Sequence, residues 1–341
     1  MFCNEFDNIF ANVDLDTKVG IFTHRAPDPD AVGAAVGIQW LLQTVYKLES
    51  KIFYEGRISH PQNQTMLNVL DLSIYSFDEY KAGVYRLGII VDATTQNVNA
   101  PVHDVTIDHH RSEEEDGISL IESVGAASTL VWELIKEICN KKDASLEDMP
   151  VSVATALSLG IRTDTSDLIK ETSTERDFQA AQDLNPFLDR KKLSGIVSYP
   201  WPRYFLELEK LMNEDGNGKF VDSVYVGTIG VISPAKRDAL PVFADKMLRI
   251  EGVETSVIFG VVGDRLEASI RSQNASLDVN AFCKKVFGKE YAGGKFGEGG
   301  AGVPLGLFSL SDSPDEIKDK MWDALKDKVF HLLFETLAGN S

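Results

Sequence analysis

The chain of 341 residues contains few cysteines and no long hydrophobic run. Its three cysteines lie far apart and form no CxxC pair, so we expect no disulfide framework and a reducing compartment. No stretch approaches the roughly 18 apolar residues of a membrane span. The opening sequence MFCNEFDNIF lacks the basic and apolar segments of a signal peptide. We therefore expect a cytoplasmic protein that has no contact with membranes.

The chain also has fewer basic residues than acidic ones. Lys and Arg total 34 against 52 Asp and Glu, which gives a net charge of −18. Proteins that coat long nucleic acids need a basic surface, so we exclude long duplex nucleic acid as a partner. A small anionic substrate held by metal ions and a few local cations is compatible with this charge. The sequence leaves the oligomeric state open, with a homodimer among the options.

Short apolar runs alternate with helical patterns in the first half of the chain. The runs that predict strands lie at 18–23, 51–54, 86–91 and 105–107. The apolar spacings that predict helices lie at 31–48, 126–139 and 151–161. This order of strands and helices predicts an α/β fold with a parallel sheet between layers of helices.

The second half of the chain indicates another domain, as the length of about two domains also suggests. The segment 186–215 contains three prolines and a basic cluster, so we predict a linker there between domains at 1–185 and 216–341. Predicted strands follow at 223–232, 255–262 and 266–271, then a glycine-rich loop at 293–306 and a helix at 313–337. Ser313 and Glu316 form a candidate capping box for that helix.

Histidines and aspartates follow the ends of the predicted strands. His24 comes directly after the first strand, Asp92 after the third, and the run DHH at 108–110 after the fourth. The helix that ends in SLGIRT leads into Asp164. Ligands of parallel α/β sheets bind beyond the carboxyl ends of the strands. We therefore expect these side chains to gather at one edge of one sheet.

This set of side chains is suited to binding two divalent metals. His24 and Asp28 share one loop, and its prolines limit the ordering that binding requires. Asp28 and Asp30 alternate along what we predict to be an extended stretch, so each can reach one metal, while Asp92 can bridge both. Mixed His and Asp ligands favour Mn²⁺, Co²⁺, Zn²⁺ or Fe²⁺ over Mg²⁺. Two such ions can clamp the attacking and leaving oxygens of a phosphoryl displacement.

Four motifs resemble those of the DHH phosphoesterase family in order and spacing, over about residues 18–170. They read HRAPDPDAVGAAVG, IIVDAT, TIDHH and GIRTDT. Further along, EASIRSQNASLDVNAF and GGKFGEGGAGVPLG resemble the DHHA1 domain. The resemblance implies an α/β protein with an N-terminal DHH domain, whose mostly parallel sheet is flanked by helices, and a smaller C-terminal α/β DHHA1 domain. Such two-domain proteins include nanoRNases, pAp phosphatases and exopolyphosphatase-related proteins.

The resemblance also implies two metal ions, with Mn²⁺ the usual activator, in a cleft between the domains. The ligands that it implies are His24, Asp28 and Asp92 for one ion, and Asp30, Asp92, His109 and Asp164 for the other. His110 would contact the scissile phosphate. Asp108 would fix the tautomer and orientation of the histidines beside it.

In the second domain, the resemblance and the glycine-rich run together predict substrate binding. The candidate residues are Arg271, Ser272, Gly293, Gly294, Lys295, Gly299 and Gly300. Arg271 could clamp a phosphate through two hydrogen bonds, glycine N–H groups could face an anion, and Phe296 could stack on a base. The family's glycine loop usually carries a histidine, whereas this chain has none between His110 and His331.

The leading hypothesis is therefore a two-metal phosphoesterase that hydrolyses short oligonucleotides, linear dinucleotides or 3′-phosphoadenosine 5′-phosphate (pAp). The missing histidine leaves the substrate open. The alternatives are an exopolyphosphatase-like phosphoanhydride hydrolase and a nucleotide-binding protein without catalytic activity.

Overall fold

The computed structural model describes residues 2–110, 117–295, 297–310 and 314–338. The chain divides into two units, Met1–Pro200 and Trp201–Ser341. The boundary falls within 186–215, the segment predicted to link the domains. Much of that segment belongs to the units themselves, because Ile196 is buried in the core of the first unit and Phe205 in a core of the second.

The first unit is built on a sheet in which all neighbouring strands pair in parallel, as the sequence predicts. Its strands are β1 (Lys18–Phe22), β2 (Ser50–Tyr54), β3 (Tyr75–Ser76), β4 (Tyr85–Val91), β5 (Val105–Asp108) and β6 (Ile118–Ile121). Its helices are α1 (Phe2–Phe10), α2 (Pro29–Val45), α3 (Pro61–Leu70), α4 (Ala127–Lys141), α5 (Val151–Asp164), α6 (Glu175–Leu184) and α7 (Arg190–Val197).

The order of the strands across this sheet is β3-β2-β1-β4-β5-β6. The chain thus builds one side of the sheet outward from β1 and the other outward from β4. At such a switch point, the loops after the two central strands diverge and leave a crevice for ligands. His24 and Asp92 follow these two central strands and therefore lie at the crevice.

Glycines let α2 approach α5 closely. A Cβ on Gly33 would lie 2.6 Å from the carbonyl oxygen of Ala156. A Cβ on Gly160 would lie 2.4 Å from Ser128 Oγ and 2.8 Å from Asp30 Oδ1. Only glycine fits at these two positions, so the glycines of the first and fourth motifs bring the start of α2 against the end of α5.

The second unit contains a mixed sheet. Its strands are β7 (Gly218–Val221), β8 (Val224–Ile232), β9 (Thr255–Val262), β10 (Arg265–Ser272), β11 (Ala292–Lys295) and β12 (Glu298–Pro304). Their order is β11-β12-β10-β9-β8-β7, and every pair is antiparallel except β8 with β9. Its helices are α8 (Tyr204–Met212), α9 (Ala239–Met247), α10 (Val279–Phe287) and α11 (Asp315–Ala338).

The prediction of a glycine-rich loop at 293–306 is wrong for most of its length. Strands β11 and β12 form a hairpin in which Gly293 pairs with Gly300 and Gly294 with Gly299. The glycines serve packing, because a Cβ on Gly299 would lie 2.5 Å from Cys283 Sγ on α10. The predicted helix at the end of the chain is α11, and its candidate cap Ser313 lies outside the described residues.

Of the helices in the described ranges, none combines the length and the hydropathy that crossing a bilayer requires. The cysteines at positions 3, 139 and 283 are unpaired.

Candidate metal centre

The loop after β1 presents two aspartates to the crevice from the start of α2. Asp28 is the N-cap of this helix, and its Oδ1 accepts hydrogen bonds from the backbone N–H groups of Asp30 at 2.9 Å and Ala31 at 3.1 Å. Pro29 begins the helix, a position that suits its fixed φ. Asp30 therefore lies in the first helical turn, and the prediction of an extended stretch through these residues is wrong.

Asp30 is fully buried and joins two helices. Its Oδ2 accepts a hydrogen bond from the backbone N–H of Ala127 at 2.6 Å, and its Oδ1 accepts one from Ser128 at 2.9 Å. These are the first N–H groups of α4, whose own N-cap residue offers no side-chain bond. Burial, together with the charges of Asp92 and Asp164, raises the pKa of Asp30 well above its usual value.

Asp92 lies between two histidines. It follows β4 with φ of 52°, a left-handed conformation that is uncommon for residues other than glycine and concentrates at functional sites. Its Oδ2 lies 3.4 Å from His24 Nε2, and its Oδ1 lies 3.3 Å from His109 Nε2. Burial alone would raise the pKa of Asp92, but its close ionic contacts with these histidines hold the pKa well below its usual value.

Backbone carbonyls orient both histidines. His24 Nδ1 lies 3.0 Å from the carbonyl oxygen of Arg25, and His109 Nδ1 lies 3.2 Å from that of Val124. A carbonyl oxygen can only accept, so each Nδ1 carries a proton and each Nε2 faces the carboxylates. Burial lowers the pKa of His109, but the neighbouring carboxylates, Asp164 first among them, outweigh it and raise that pKa to about 11.

The first histidine behaves in the same way. Burial lowers the pKa of His24, and its contacts with Asp28 and Asp92 raise it well above the usual value. His24 Nε2 lies 3.9 Å from Asp28 Oδ1. On the other side of the crevice, His109 Nε2 lies 3.3 Å from Asp164 Oδ2 and 3.8 Å from Asp30 Oδ2.

The structure thus brings the six predicted metal ligands together in two groups. One group contains His24, Asp28 and Asp92, and the other contains Asp30, His109 and Asp164. Within each group the candidate ligand atoms lie within 4.8 Å of one another, and Asp92 faces both groups with different oxygens.

Two buried atoms at the centre of this arrangement have no hydrogen-bond partner among the described residues. They are Asp92 Oδ1 and His109 Nε2. Buried polar atoms are otherwise almost always paired, and a divalent cation would satisfy both at once. The nitrogen and oxygen donors present therefore fit divalent metal ions of the Mn²⁺, Fe²⁺, Co²⁺ or Zn²⁺ type.

The Asp108 carboxylate holds the two histidines that follow it through hydrogen bonds. It is buried, and its Oδ1 accepts hydrogen bonds from the backbone N–H of His109 at 2.7 Å and of His110 at 3.1 Å. His110 Nδ1 lies 3.0 Å from the same oxygen, which turns the opposite edge of the ring away from Asp108. His110 is exposed, so that edge can reach a bound substrate.

A model of the DHH family, N-terminal domain, matches residues 18–161, which include every strand of the first sheet and the DHH segment itself. This match assigns residues 18–161 to a DHH family domain. The DHH domain that the four motifs predict is thereby confirmed.

Several relatives extend this likeness. An uncharacterized protein of Methanocaldococcus jannaschii is 28% identical over 320 residues, which cover 92% of this chain and 63% of that protein. A "Probable manganese-dependent inorganic pyrophosphatase" of Lactobacillus delbrueckii subsp. bulgaricus is 27% identical over 200 residues, which cover 56% of this chain and 58% of that protein. The chain therefore spans less than two thirds of the length of these curated relatives.

The fold has a counterpart among solved structures. The crystal structure of an exopolyphosphatase-related protein from Bacteroides fragilis matches with a TM-score of 0.71 and 17% identity over 97% of both chains. At this identity the match establishes the fold alone, and it confirms the predicted α/β architecture, in which a mostly parallel sheet flanked by helices is followed by a smaller α/β domain.

The predicted substrate residues of the second unit are engaged with one another and with their neighbours. Arg271 Nε donates to Asp245 Oδ1 at 2.8 Å, and its Nη1 donates to Ser269 Oγ and to the carbonyl oxygen of Ile270. Ser272 is buried, with its Oγ 2.7 Å from Thr255 Oγ1.

The four glycines named as substrate residues lie in the β11–β12 hairpin. Strand β12 pairs with a strand on each side, so its N–H groups belong to the sheet and do not form the anion-binding loop expected from the sequence. Lys295 ends β11 opposite Glu298. Phe296, the predicted stacking residue, lies outside the described residues.

Two residues near the candidate metal ligands have positions that the sequence patterns do not predict. Lys170 Nζ donates to the carbonyl oxygen of Asp164 at 3.3 Å, because residues 166–168 all have positive φ and turn the chain back. Asp177, at the start of α6, is buried and binds the segment just before α4. Both are distant in sequence from the strand ends, so only the fold reveals their positions.

Proposed function

We propose that this DHH protein is a metal-dependent phosphoesterase that uses two divalent ions, Mn²⁺ above all, to hydrolyse short oligonucleotides, linear dinucleotides or pAp. The observation that carries the proposal is the pair of ligand groups that share Asp92. Its two carboxylate oxygens face different histidines, as a bridging ligand requires. Two ions held this way suit in-line displacement at phosphorus.

In this proposal His24, Asp28 and Asp92 hold one ion, and Asp30, Asp92, His109 and Asp164 hold the other. When bound, the ions would polarise the phosphoryl oxygens and lower the pKa of the attacking water. The protein supplies ligands of fixed orientation, because the Arg25 and Val124 carbonyls hold the two histidine rings.

His110 and Asp108 act on the substrate side of the site. The Asp108 carboxylate accepts a hydrogen bond from His110 Nδ1 and so fixes the orientation of the ring. A protonated His110 would donate from Nε2 to an oxygen of the scissile phosphate, and its exposure gives it access. This stabilises negative charge as the bond to phosphorus breaks.

A second candidate function is hydrolysis of inorganic phosphoanhydrides. It is favoured by the relative named a manganese-dependent inorganic pyrophosphatase, which matches 56% of this chain. The state of Arg271 also favours it, because a guanidinium already paired with Asp245 is less available to a second nucleotide. The metal chemistry is the same for both functions, so the substrate decides between them.

A substrate panel with the Mn²⁺-loaded protein tests the proposal. The panel contains pAp, a linear dinucleotide, a five-nucleotide RNA, a cyclic dinucleotide, pyrophosphate and polyphosphate, with product release followed by chromatography. We expect mononucleotides from the dinucleotide or phosphate from pAp. Phosphate from pyrophosphate or polyphosphate alone would select the second candidate, and the absence of any product would contradict both.

Two controls accompany the panel. The Asp92→Asn variant should be inactive on every substrate, because it lacks the bridging carboxylate. The Asp183→Asn variant removes a carboxylate that contacts Lys136 on the outside of the same unit, and it should retain full activity.

A further inference from the structure

The segment 124–128 holds two of the proposed metal ligands without contributing one itself. The carbonyl oxygen of Val124 lies 3.2 Å from His109 Nδ1. The backbone N–H groups of Ala127 and Ser128 donate to the Asp30 carboxylate at 2.6 and 2.9 Å. The position of this segment therefore sets the positions of Asp30 and His109 together.

Asp177 holds that segment in place. It is fully buried, and its Oδ2 accepts a hydrogen bond from the backbone N–H of Gly125 at 2.8 Å. The same oxygen accepts from the N–H and the hydroxyl of Thr174 at 2.7 Å each, at the N-cap of α6. Its Oδ1 accepts from the Thr129 hydroxyl on α4 at 2.6 Å. One carboxylate thus joins α6, α4 and the segment between the DHH motif and α4.

The backbone of residue 125 approaches Asp177 and Thr165 so closely that only glycine fits there. A Cβ there would lie 2.8 Å from Asp177 Oδ2 and 2.5 Å from Thr165 Cγ2. Thr165 directly follows Asp164, the third member of the same ligand group. The Asp177 contact is therefore packed against the residue next to one ligand, and it holds the segment whose backbone binds the other two.

We propose that Asp177 is a positioning residue for one ion of the pair, the ion held by Asp30, His109 and Asp164. This inference rests on the proposed function. The other group is supported by different contacts. His24 is oriented by the carbonyl of Arg25, and Asp28 is held by the first N–H groups of α2. Removing the Asp177 charge should therefore weaken one metal site and spare the other.

The experiment compares Asp177→Asn with the wild-type protein in Mn²⁺ titrations followed by calorimetry. We expect the affinity of one site to fall by about 10- to 100-fold, as for other residues that orient metal ligands, while the other site is unchanged. Asp183→Asn is the matched control, because Asp183 lies on the same helix but contacts Lys136, Trp132 and Gln179. It should leave both sites unchanged.

A second variant with a smaller change tests the same inference if Asp177→Asn does not fold. Thr129→Val keeps the shape of the side chain and removes one of the four hydrogen bonds to Asp177. It should weaken the same site in the same direction by a smaller factor. Equal weakening of both sites, or lower stability with both affinities intact, would overturn the inference, because either result describes a purely structural residue.

A second readout does not depend on metal. In the metal-free protein, the ¹⁵N resonances of the histidine rings report whether Nδ1 is hydrogen-bonded. Asp177→Asn, or Thr129→Val if the former does not fold, should shift the resonances of His109 and leave those of His24 in place. If the wild-type protein binds no metal, the proposed function fails, whereas an unchanged His109 spectrum would overturn the positioning role alone.

Discussion

Asp92 Oδ1 lies 3.3 Å from His109 Nε2, and neither buried atom has a hydrogen-bond partner in the part of the chain that the structure describes. Such a pair would be costly if it remained unsatisfied. The other oxygen of Asp92 faces His24 Nε2 at 3.4 Å, so a single carboxylate lies between the two imidazole rings. The left-handed backbone of Asp92 adds local strain of the kind found at functional sites. These features make Asp92 the most informative residue to change.

Asp92→Asn should abolish activity. The amide keeps the size of the side chain but has one oxygen in place of two, so it cannot bridge two ions. We expect kcat to fall by more than about 100-fold, beyond the loss typical of residues that only orient ligands. The rate of hydrolysis of bis-p-nitrophenyl phosphate with Mn²⁺ measures this. Asp183→Asn, at a carboxylate that contacts Lys136 away from the candidate ligands, is the control, and an active Asp92→Asn enzyme would disprove a bridging role.

His110→Asn should separate catalysis from metal binding. The exposed ring edge that faces away from Asp108 can contact the substrate. His110 also lies close enough to Asp92, Asp108 and His109 to take part in holding a metal ion, so the variant decides between the two roles. We expect kcat to fall by about 10²- to 10⁴-fold, the usual contribution of a positioned acid, with the bound metal unchanged. Metal content is measured by atomic absorption on the purified variant. Loss of metal along with activity would instead make His110 a ligand.

The sequence predicts the gathering of the candidate metal ligands better than it predicts the surroundings of the candidate substrate residues. Carboxylates at strand ends were informative because a parallel sheet brings those ends to one edge, and Asp92 follows β4 as expected. The surroundings of Asp30 could not be predicted, because its partners Ala127 and Ser128 are backbone groups about a hundred positions away. Composition cannot reveal such contacts.

The prediction of a loop from the glycine-rich run at 293–306 was wrong for a related reason. Glycines indicate loops when they supply positive φ, but Gly299 is required by the closeness of α10. A run without side chains has no alternation of apolar and polar residues, so nothing in it signalled β11 and β12. The ion pair of Arg271 with Asp245 likewise depends on how β10 and α9 pack.

Arg271→Ala tests whether this guanidinium reaches the substrate. If it does, KM for a linear dinucleotide should rise by about tenfold, the equivalent of one lost charge-assisted hydrogen bond, while bis-p-nitrophenyl phosphate is hydrolysed as before. Steady-state kinetics on both substrates provide the comparison. Asp245→Ala, which removes the ion pair of the guanidinium, should lower KM for the dinucleotide. Equal effects on both substrates would leave Arg271 only its structural role beside Asp245.

Asp7 should make the stability of the first unit depend on pH. Burial raises the pKa of Asp7, but hydrogen bonds from Lys141, Lys142 and Tyr46 outweigh it and lower the pKa. A lowered pKa stabilises the fold above the unfolded value of about 3.9, and that contribution is lost as the pH falls through the folded value.

Asp7→Asn should therefore reduce the free energy of unfolding by about 1 kcal/mol at pH 7, and the difference from wild type should shrink below about pH 4. Urea unfolding at both pH values measures this, with Glu49→Gln at an exposed pair as the control. A difference that stays constant with pH would show that the Asp7 charge contributes nothing.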